Sequence, residues 1–196
     1  MESTGEASDM AGSRTGMDVV DILTADHREV QSLLQEIWDS HDPERRRDIA
    51  DTIISELVRH SVAEEMYVYP AMREHLPNGV QAVAHDTEEH NELERTMKEL
   101  EGLDASEPRF DQLVRQLEAT LRDHIDDEEN QQFPQLRQRV PDEALMELGS
   151  KVERAKKMAP TRPHPGAPNS EVFHKLVGPG VGLVDRLRDK LTGRTG

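Results

Sequence analysis

The segment His60-Ser-Val-Ala-Glu-Glu-Met-Tyr-Val-Tyr-Pro70 has a second copy later in the chain, His124-Ile-Asp-Asp-Glu-Glu-Asn-Gln-Gln-Phe-Pro134. Both copies place a histidine four residues before a pair of glutamates, and both end in an aromatic residue followed by proline. A shorter pair accompanies them, because residues 26–27 and 89–90 each consist of an acidic residue followed by a histidine. The chain therefore contains an internal duplication, and each half has one histidine on a first helix and His-x3-Glu on a second.

Four segments show the 3.6-residue apolar period of an amphipathic helix. Short stretches with Pro, Gly or Asn separate them, which favours antiparallel neighbours. We therefore predict an all-α fold, an antiparallel up-down-up-down four-helix bundle with an extra C-terminal helix outside it. The bundle helices are predicted at Met17–Ser40, Pro43–His75, Val80–Leu103 and Glu107–Val140, and the extra helix at Asp142–Lys157.

The histidines of the duplication lie on the apolar stripes of their helices, since residues three and four apart share a helix face. Two glutamates lie on the same stripes. Buried carboxylates are costly unless they are paired or bind a metal, and imidazole with carboxylate suits iron. The sequence thus favours a metal site in the bundle core over a purely structural polar core. The predicted ligands are His27, His60, Glu64, His90, His124 and Glu128.

This pattern resembles the hemerythrin family, in particular the bacterial hemerythrin-like HHE cation-binding domains, over about residues 18–140. The resemblance implies a non-haem di-iron centre, two iron ions with an oxo or hydroxo bridge, and an open position for O₂ or a small relative. It makes the four histidines terminal ligands and Glu64 and Glu128 the bridging carboxylates. Glu129 is the alternative to Glu128, because animal oxygen carriers of the family place their second carboxylate one residue further from its histidine.

The sequence departs from those oxygen carriers at one position. They have two histidines four apart on the third helix, whereas here the residue four before His90 is Asp86. Asp86 lies on the core stripe and is a possible metal ligand. A four-histidine, carboxylate-rich site favours oxidised iron, which argues against reversible O₂ carriage. It favours sensing, storage or redox turnover of O₂, peroxide or nitric oxide.

Several residues beside the predicted ligands have more than one interpretation. Glu65 and Glu129 either orient ligand histidines without touching the metal or are solvated. Asp26 and Glu89 are predicted to be exposed. His85 falls on a face next to the core stripe of its helix.

Composition excludes several classes of protein. The chain has 196 residues, with 24 basic and 40 acidic ones, and its net charge of −16 argues against nucleic acid as a partner. It has no cysteine, so disulfides, thiolate metal sites and iron–sulfur clusters are excluded. No apolar run is long enough to predict a transmembrane helix, and we expect a cytoplasmic protein.

The two ends differ from the middle of the chain. Residues 1–16 are predicted to be a disordered lead-in, residues 17–158 the helical bundle, and residues 159–196 a Pro-rich linker with a basic amphipathic tail. Residues 151–196 carry 10 basic and 4 acidic residues, a net charge of +6. This tail is either solvated, or it lies on the acidic body of the protein, on an anionic membrane surface or on a protein partner.

Three functions follow as hypotheses. The leading one is a di-iron protein that binds or senses O₂ or a related small oxidant, with a role in oxidative stress. The second is a di-iron enzyme that decomposes peroxide or acts as an oxidase. The third is a metal-stabilised interaction module that uses its basic tail.

Overall fold

The computed structural model describes residues 16–163, and these form helices joined by short turns with no β-strand among them. The predicted lead-in before residue 16 and the basic tail after residue 163 lie outside the described residues. Within the described part of the chain, no helix is both long and apolar enough to cross a membrane.

The first helical hairpin consists of α1 (Val19–Asp39) and the rod formed by α2 (Pro43–Ala63), a π-helical turn and α3 (Tyr69–His75). Both helix starts are capped as their sequences indicate. The Asp18 side chain accepts the Asp21 N–H at 2.9 Å, and the Asp42 side chain accepts the Glu44 N–H at 3.0 Å, directly before Pro43.

The second hairpin consists of α4 (Gly79–Leu100) and the rod formed by α5 (Pro108–Asp127), a second π-helical turn and α6 (Phe133–Arg139). The turn between the hairpins is tight at Gly79, where a Cβ would lie 2.0 Å from the carbonyl oxygen of Met72. The predicted four-helix bundle is therefore confirmed, with helix bounds within a few residues of those expected.

The two long rods are not continuous α-helices as predicted. Each contains one π-helical turn, at Glu64–Val68 and at Glu128–Gln132. Each turn ends two residues before a proline, Pro70 in the first rod and Pro134 in the second. Proline has no N–H, and its ring crowds the preceding turn of an α-helix. A wider turn relieves this crowding, and each π turn begins at the glutamate of a His-x3-Glu motif.

The core is divided into two apolar clusters. One lies towards the α1–α2 and α4–α5 connections, and includes Leu34, Ile53 and Leu117. The other lies towards the α3–α4 turn and α7, and includes Leu23, Met72 and Phe133. Along α1 and α2 the histidines fall between these clusters, so a polar layer crosses the bundle at mid-height.

The predicted extra helix is α7 (Asp142–Met158), which packs against α1 and α2 outside the bundle. The approach is close at Gly149, where a Cβ would lie 2.8 Å from the backbone oxygen of Met17. Residues 159–163 continue along the bundle, and Arg162 donates to Glu101 Oε1 at 2.6 Å, at the end of α4.

Candidate metal centre

The polar layer brings the four predicted histidines together, one from each bundle helix. The Nε2 atoms of His27 and His60 lie 3.3 Å apart, and so do those of His90 and His124. All four side chains are buried. Ring nitrogens that converge in this way from separate helices form the kind of site that holds a cation.

The two predicted bridging glutamates lie between the histidine pairs. Glu64 Oε2 is 3.2 Å from His60 Nε2 and 3.3 Å from His90 Nε2, so it contacts both repeats. Glu128 Oε2 is 3.3 Å from His27 Nε2 and 3.5 Å from His124 Nε2, so Glu128 also contacts both repeats.

These side chains form three overlapping groups, and within each group one ligand atom per residue lies within 4.8 Å of the others. The first two groups share Glu64, and the last two share His124. The groups are His27, His60, Glu64 and Glu128; Glu64, His90 and His124; and Asp86, Glu89 and His124.

The donor set fits bound metal. Glu64 and Glu128 are fully buried, and although their oxygens approach imidazole nitrogens, none of the four has hydrogen-bond geometry with any described residue. Buried carboxylates without such partners are strongly unfavourable, and a bound cation removes that cost. Imidazole with carboxylate suits iron, manganese or zinc.

Each histidine also has a carboxylate at its outer nitrogen, Nδ1, and each carboxylate comes from another helix. An Nδ1–H that donates to a carboxylate leaves the Nε2 lone pair free to face the centre. The pairs are His27 with Glu129 at 2.8 Å, His60 with Asp26 at 3.4 Å, His90 with Glu65 at 3.3 Å and His124 with Glu89 at 3.0 Å.

This outer ring changes two sequence expectations. Asp26 is buried and Glu89 is only 13% exposed, so the prediction that both are exposed was wrong. They lie off the core stripe of their own helices, but the neighbouring helix brings a histidine to each of them. Glu65 and Glu129 lie at the outer nitrogens of His90 and His27, where they can orient these rings, which is one of the two roles considered for them. Glu129 also pairs with Arg28.

The charges of the layer stabilise one another. Burial opposes protonation of His60, but Glu64 and Asp26 outweigh it and raise the pKa of His60 to about 10. Burial acts likewise on His90, where Glu64 and Glu65 raise the pKa to about 10. Burial also opposes ionisation of Glu64, yet His60 and His90 hold its pKa well below the ordinary value. Metal uptake at these histidines must therefore displace protons.

A sequence profile of the Hemerythrin HHE cation binding domain matches residues 18–136, which contain every residue of the three groups. The chain belongs to the hemerythrin HHE cation-binding domain family.

Two curated proteins resemble this hemerythrin domain. An uncharacterized hemerythrin-like protein of Schizosaccharomyces pombe is 32% identical over 174 residues, which cover 88% of this chain and 86% of that protein. A DNA nickase of Nostoc is 27% identical over 154 residues, 79% of this chain, and the match spans 43% of the nickase.

The fold also resembles a solved structure. The crystal structure of a hemerythrin HHE cation-binding domain-containing protein from Mycobacterium kansasii superposes with a TM-score of 0.61 at 23% identity. The match covers 72% of this chain and 86% of that one, and it supports the shared helical bundle.

The hemerythrin domain has a buried polar pair, Asp86 with Gln132, that the first repeat does not duplicate. Asp86 is fully buried, and its Oδ1 accepts a 2.9 Å hydrogen bond from Gln132 Nε2. The repeat counterparts of these two residues are Leu23 and Val68. The Asp86 Oδ2 and Gln132 Oε1 atoms have no hydrogen-bond partner among the described residues. Burial and the charge of Glu128 raise the pKa of Asp86 to about 6, against the hydrogen bond from Gln132.

Sequence reasoning did not select Gln132. Alignment of the two repeats is the signal that could have found it, because Gln132 is a polar residue at the buried position that Val68 occupies in the first repeat.

The aromatic residues that end the two motifs stack on histidines. The Phe133 ring lies 6.0 Å from His27 and nearly parallel to it, and the Tyr69 ring lies 5.4 Å from His90. The Tyr69 hydroxyl is 3.1 Å from His90 Nε2, so this residue contacts the centre as well as packing. Tyr67 is partly buried against the apolar cluster near α7.

Proposed function

We propose that this protein holds a non-haem di-iron centre and binds or senses O₂ or a related small oxidant such as peroxide or nitric oxide. One observation carries the proposal. Two groups of buried ligand atoms share Glu64, and the four oxygens of Glu64 and Glu128 have no hydrogen-bond partner among the described residues. Iron supplies the one-electron redox chemistry and the affinity for O₂ that such a function requires.

The ligand roles follow the contacts of the polar layer. The four histidines would be terminal ligands through Nε2, and Glu64 and Glu128 would each reach ligands of both repeats. Asp86 is a possible further ligand on the His124 side. Glu129 lies at the outer nitrogen of His27, which supports an orienting role over coordination.

The protein around the centre limits what reaches it. Apolar clusters lie on both sides of the polar layer, so a small uncharged molecule is the expected ligand. The carboxylates at Nδ1 hold each imidazole in one tautomer and orientation.

An optical titration tests the proposal. Metal-free full-length protein is titrated with ferrous iron under nitrogen, and air is then admitted. We expect saturation at two irons per chain and ligand-to-metal charge-transfer absorption in air. The variants His60→Ala and His124→Ala should lose stoichiometric binding, while His75→Ala, a histidine outside the polar layer, should keep it. Saturation at one iron or none would contradict a di-iron centre.

A second candidate function is turnover of peroxide, and the Asp86–Gln132 pair favours it. This pair adds a carboxyl and an amide on the second-repeat side, where a bound oxidant could exchange protons and hydrogen bonds. Sustained O₂ evolution from peroxide by the iron-loaded protein, reduced at least tenfold in Asp86→Asn, would support turnover. Reversible spectral change on removal of O₂, without turnover, would support binding alone.

A further inference from the structure

The α7 helix covers only one of the two equivalent sides of the polar layer. It packs against α1 and α2, and there Lys156 Nζ lies 2.6 Å from Asp26, the carboxylate at the outer nitrogen of His60. Both partners of this ion pair are largely buried. A cation that approaches from this side meets a helix and a positive charge.

The opposite side of the layer, at α4 and α5, has ligand-type residues at the equivalent positions. Ile22 and Ala63 are buried in the first repeat, Ile22 next to Gly149 of α7, and their counterparts in the second repeat are His85 and Asp127. The His85 side chain is 58% exposed and that of Asp127 is 33% exposed. His85 Nε2 lies 3.4 Å from Asp127 Oδ2 and 3.5 Å from Glu89 Oε1.

Glu89 connects this surface cluster to the interior. Its other oxygen, Oε2, is 3.0 Å from His124 Nδ1. Asp86 is the next group inward, since one ligand atom each of Asp86, Glu89 and His124 lies within 4.8 Å of the others. Asp86 is fully buried, and its Oδ2 has no hydrogen-bond partner among the described residues. Imidazole and carboxylate groups therefore lead without a gap from solvent to the centre.

We propose that His85, Glu89 and Asp127 form a docking site for a divalent transition-metal cation, and that Glu89 passes the ion inward to Asp86 and His124. The proposal rests on the metal centre proposed above. One imidazole and two carboxylates suit such a cation, and they keep it coordinated as it loses water. A cluster of negative charge at the surface also concentrates cations locally and raises their association rate.

The experiment measures the rate of metal loading. Chelator-treated full-length protein is mixed with Co²⁺ in a stopped-flow instrument, and the visible absorption of protein-bound cobalt is followed to completion. The test variants are Asp127→Asn, His85→Gln and their combination, none of which changes a predicted ligand of the centre. The control is Glu88→Gln, which removes one negative charge from an exposed position of α4.

We expect the double variant to load about tenfold or more slowly than the wild type, with two Co²⁺ bound per chain at the end and the same equilibrium affinity. The rate advantage of the wild type over the double variant should shrink at high salt, because screening weakens the attraction between the carboxylates and the cation. The Glu88→Gln control should load within about twofold of the wild type.

Three results would overturn the proposal. Equal loading rates in the double variant and the control would show that metal takes another route. A lower final stoichiometry in the double variant would assign His85 and Asp127 to the centre itself and not to a separate docking site. If the wild type takes up no cobalt, the proposed metal centre fails and the route fails with it.

Discussion

At Asp86 the chain buries a carboxyl group whose counterpart in the first repeat is Leu23. Burial raises its pKa to about 6, above the ordinary value of 3.8. An acid with a raised folded-state pKa binds its proton more tightly in the folded state. Its contribution to stability in the metal-free protein is therefore lost as the pH rises from about 4 to about 6.

The Asp86→Asn variant tests whether ionisation of the buried Asp86 carboxyl lowers the stability of the metal-free protein. It keeps a group that can pair with Gln132 and removes the charge, so metal-free protein should gain about 3 kcal/mol at pH 7.5 and only about 1 kcal/mol at pH 4.5. Urea denaturation at the two pH values measures the difference. Glu92→Gln, at an exposed position of α4, is the control and should change neither value by more than about 0.5 kcal/mol. An equal gain at both pH values would contradict the charge argument.

How far the sequence predicts the site depends on which contacts lie within one helix. Helical spacing places His60 and Glu64 on one core stripe, and the structure has both buried and in contact. The same spacing says nothing about the neighbouring helix, which is why the Asp26 contact with His60 was not predicted. Gln132 was missed for the same reason, since its partner lies on α4.

Among the helices, α7 both packs against the outside of the bundle and makes a polar contact with it. Its Lys156 places a positive charge against Asp26, which in turn contacts His60, so this outer helix is linked to the polar layer by two polar contacts. The two repeats are related by approximate twofold symmetry. The α7 helix breaks this symmetry, because it packs against α1 and α2 of the first repeat.

The Lys156→Met variant tests the link between α7 and the polar layer. Methionine keeps most of the apolar stem and removes the charge next to a buried carboxylate, so we expect a loss of about 2 kcal/mol in the free energy of unfolding. Urea denaturation of chelator-treated protein measures it. The control is Lys151→Met on the same helix, whose ion pair with Glu147 is exposed and should contribute less than about 1 kcal/mol. Equal losses in the two variants would contradict a specific role for Lys156.

The helices themselves were predictable except for the π turns. Apolar period, together with the Asp42 cap and Pro43 directly after it, indicates where the helices lie. Period alone does not reveal one extra residue in a turn, although Pro70 and Pro134 inside apparently continuous helices are the feature that could have indicated it.

Over the whole molecule, the contact between Arg162 and Glu101 joins the segment after α7 to the end of α4. Burial disfavours ionisation of Glu101, but the hydrogen bonds and positive charges of Lys98 and Arg162 outweigh burial and lower the pKa of Glu101. A carboxylate with a lowered folded-state pKa stabilises the fold above its unfolded value of about 4.5. That contribution is lost as the pH falls through the lower, folded-state pKa.

The Glu101→Gln variant should therefore be less stable than the wild type by about 1 kcal/mol at pH 7, and the difference should shrink towards pH 3.5. Urea denaturation across this range provides the comparison. Glu99→Gln, which removes an exposed pair with Arg109, should cost less than about 0.5 kcal/mol throughout. A Glu101→Gln loss that does not vary with pH would contradict this explanation.

The shared glutamates have a mechanical consequence for the molecule. Glu64 contacts histidines of both repeats, and so does Glu128, so an ion held by either one ties the two hairpins together. In a chain without cysteine, such ions would act as removable cross-links that close long loops, as disulfides do in secreted domains. The loaded protein should then resist proteases and chaotropes that open the metal-free form, and the supply of the metal would set how long each molecule survives.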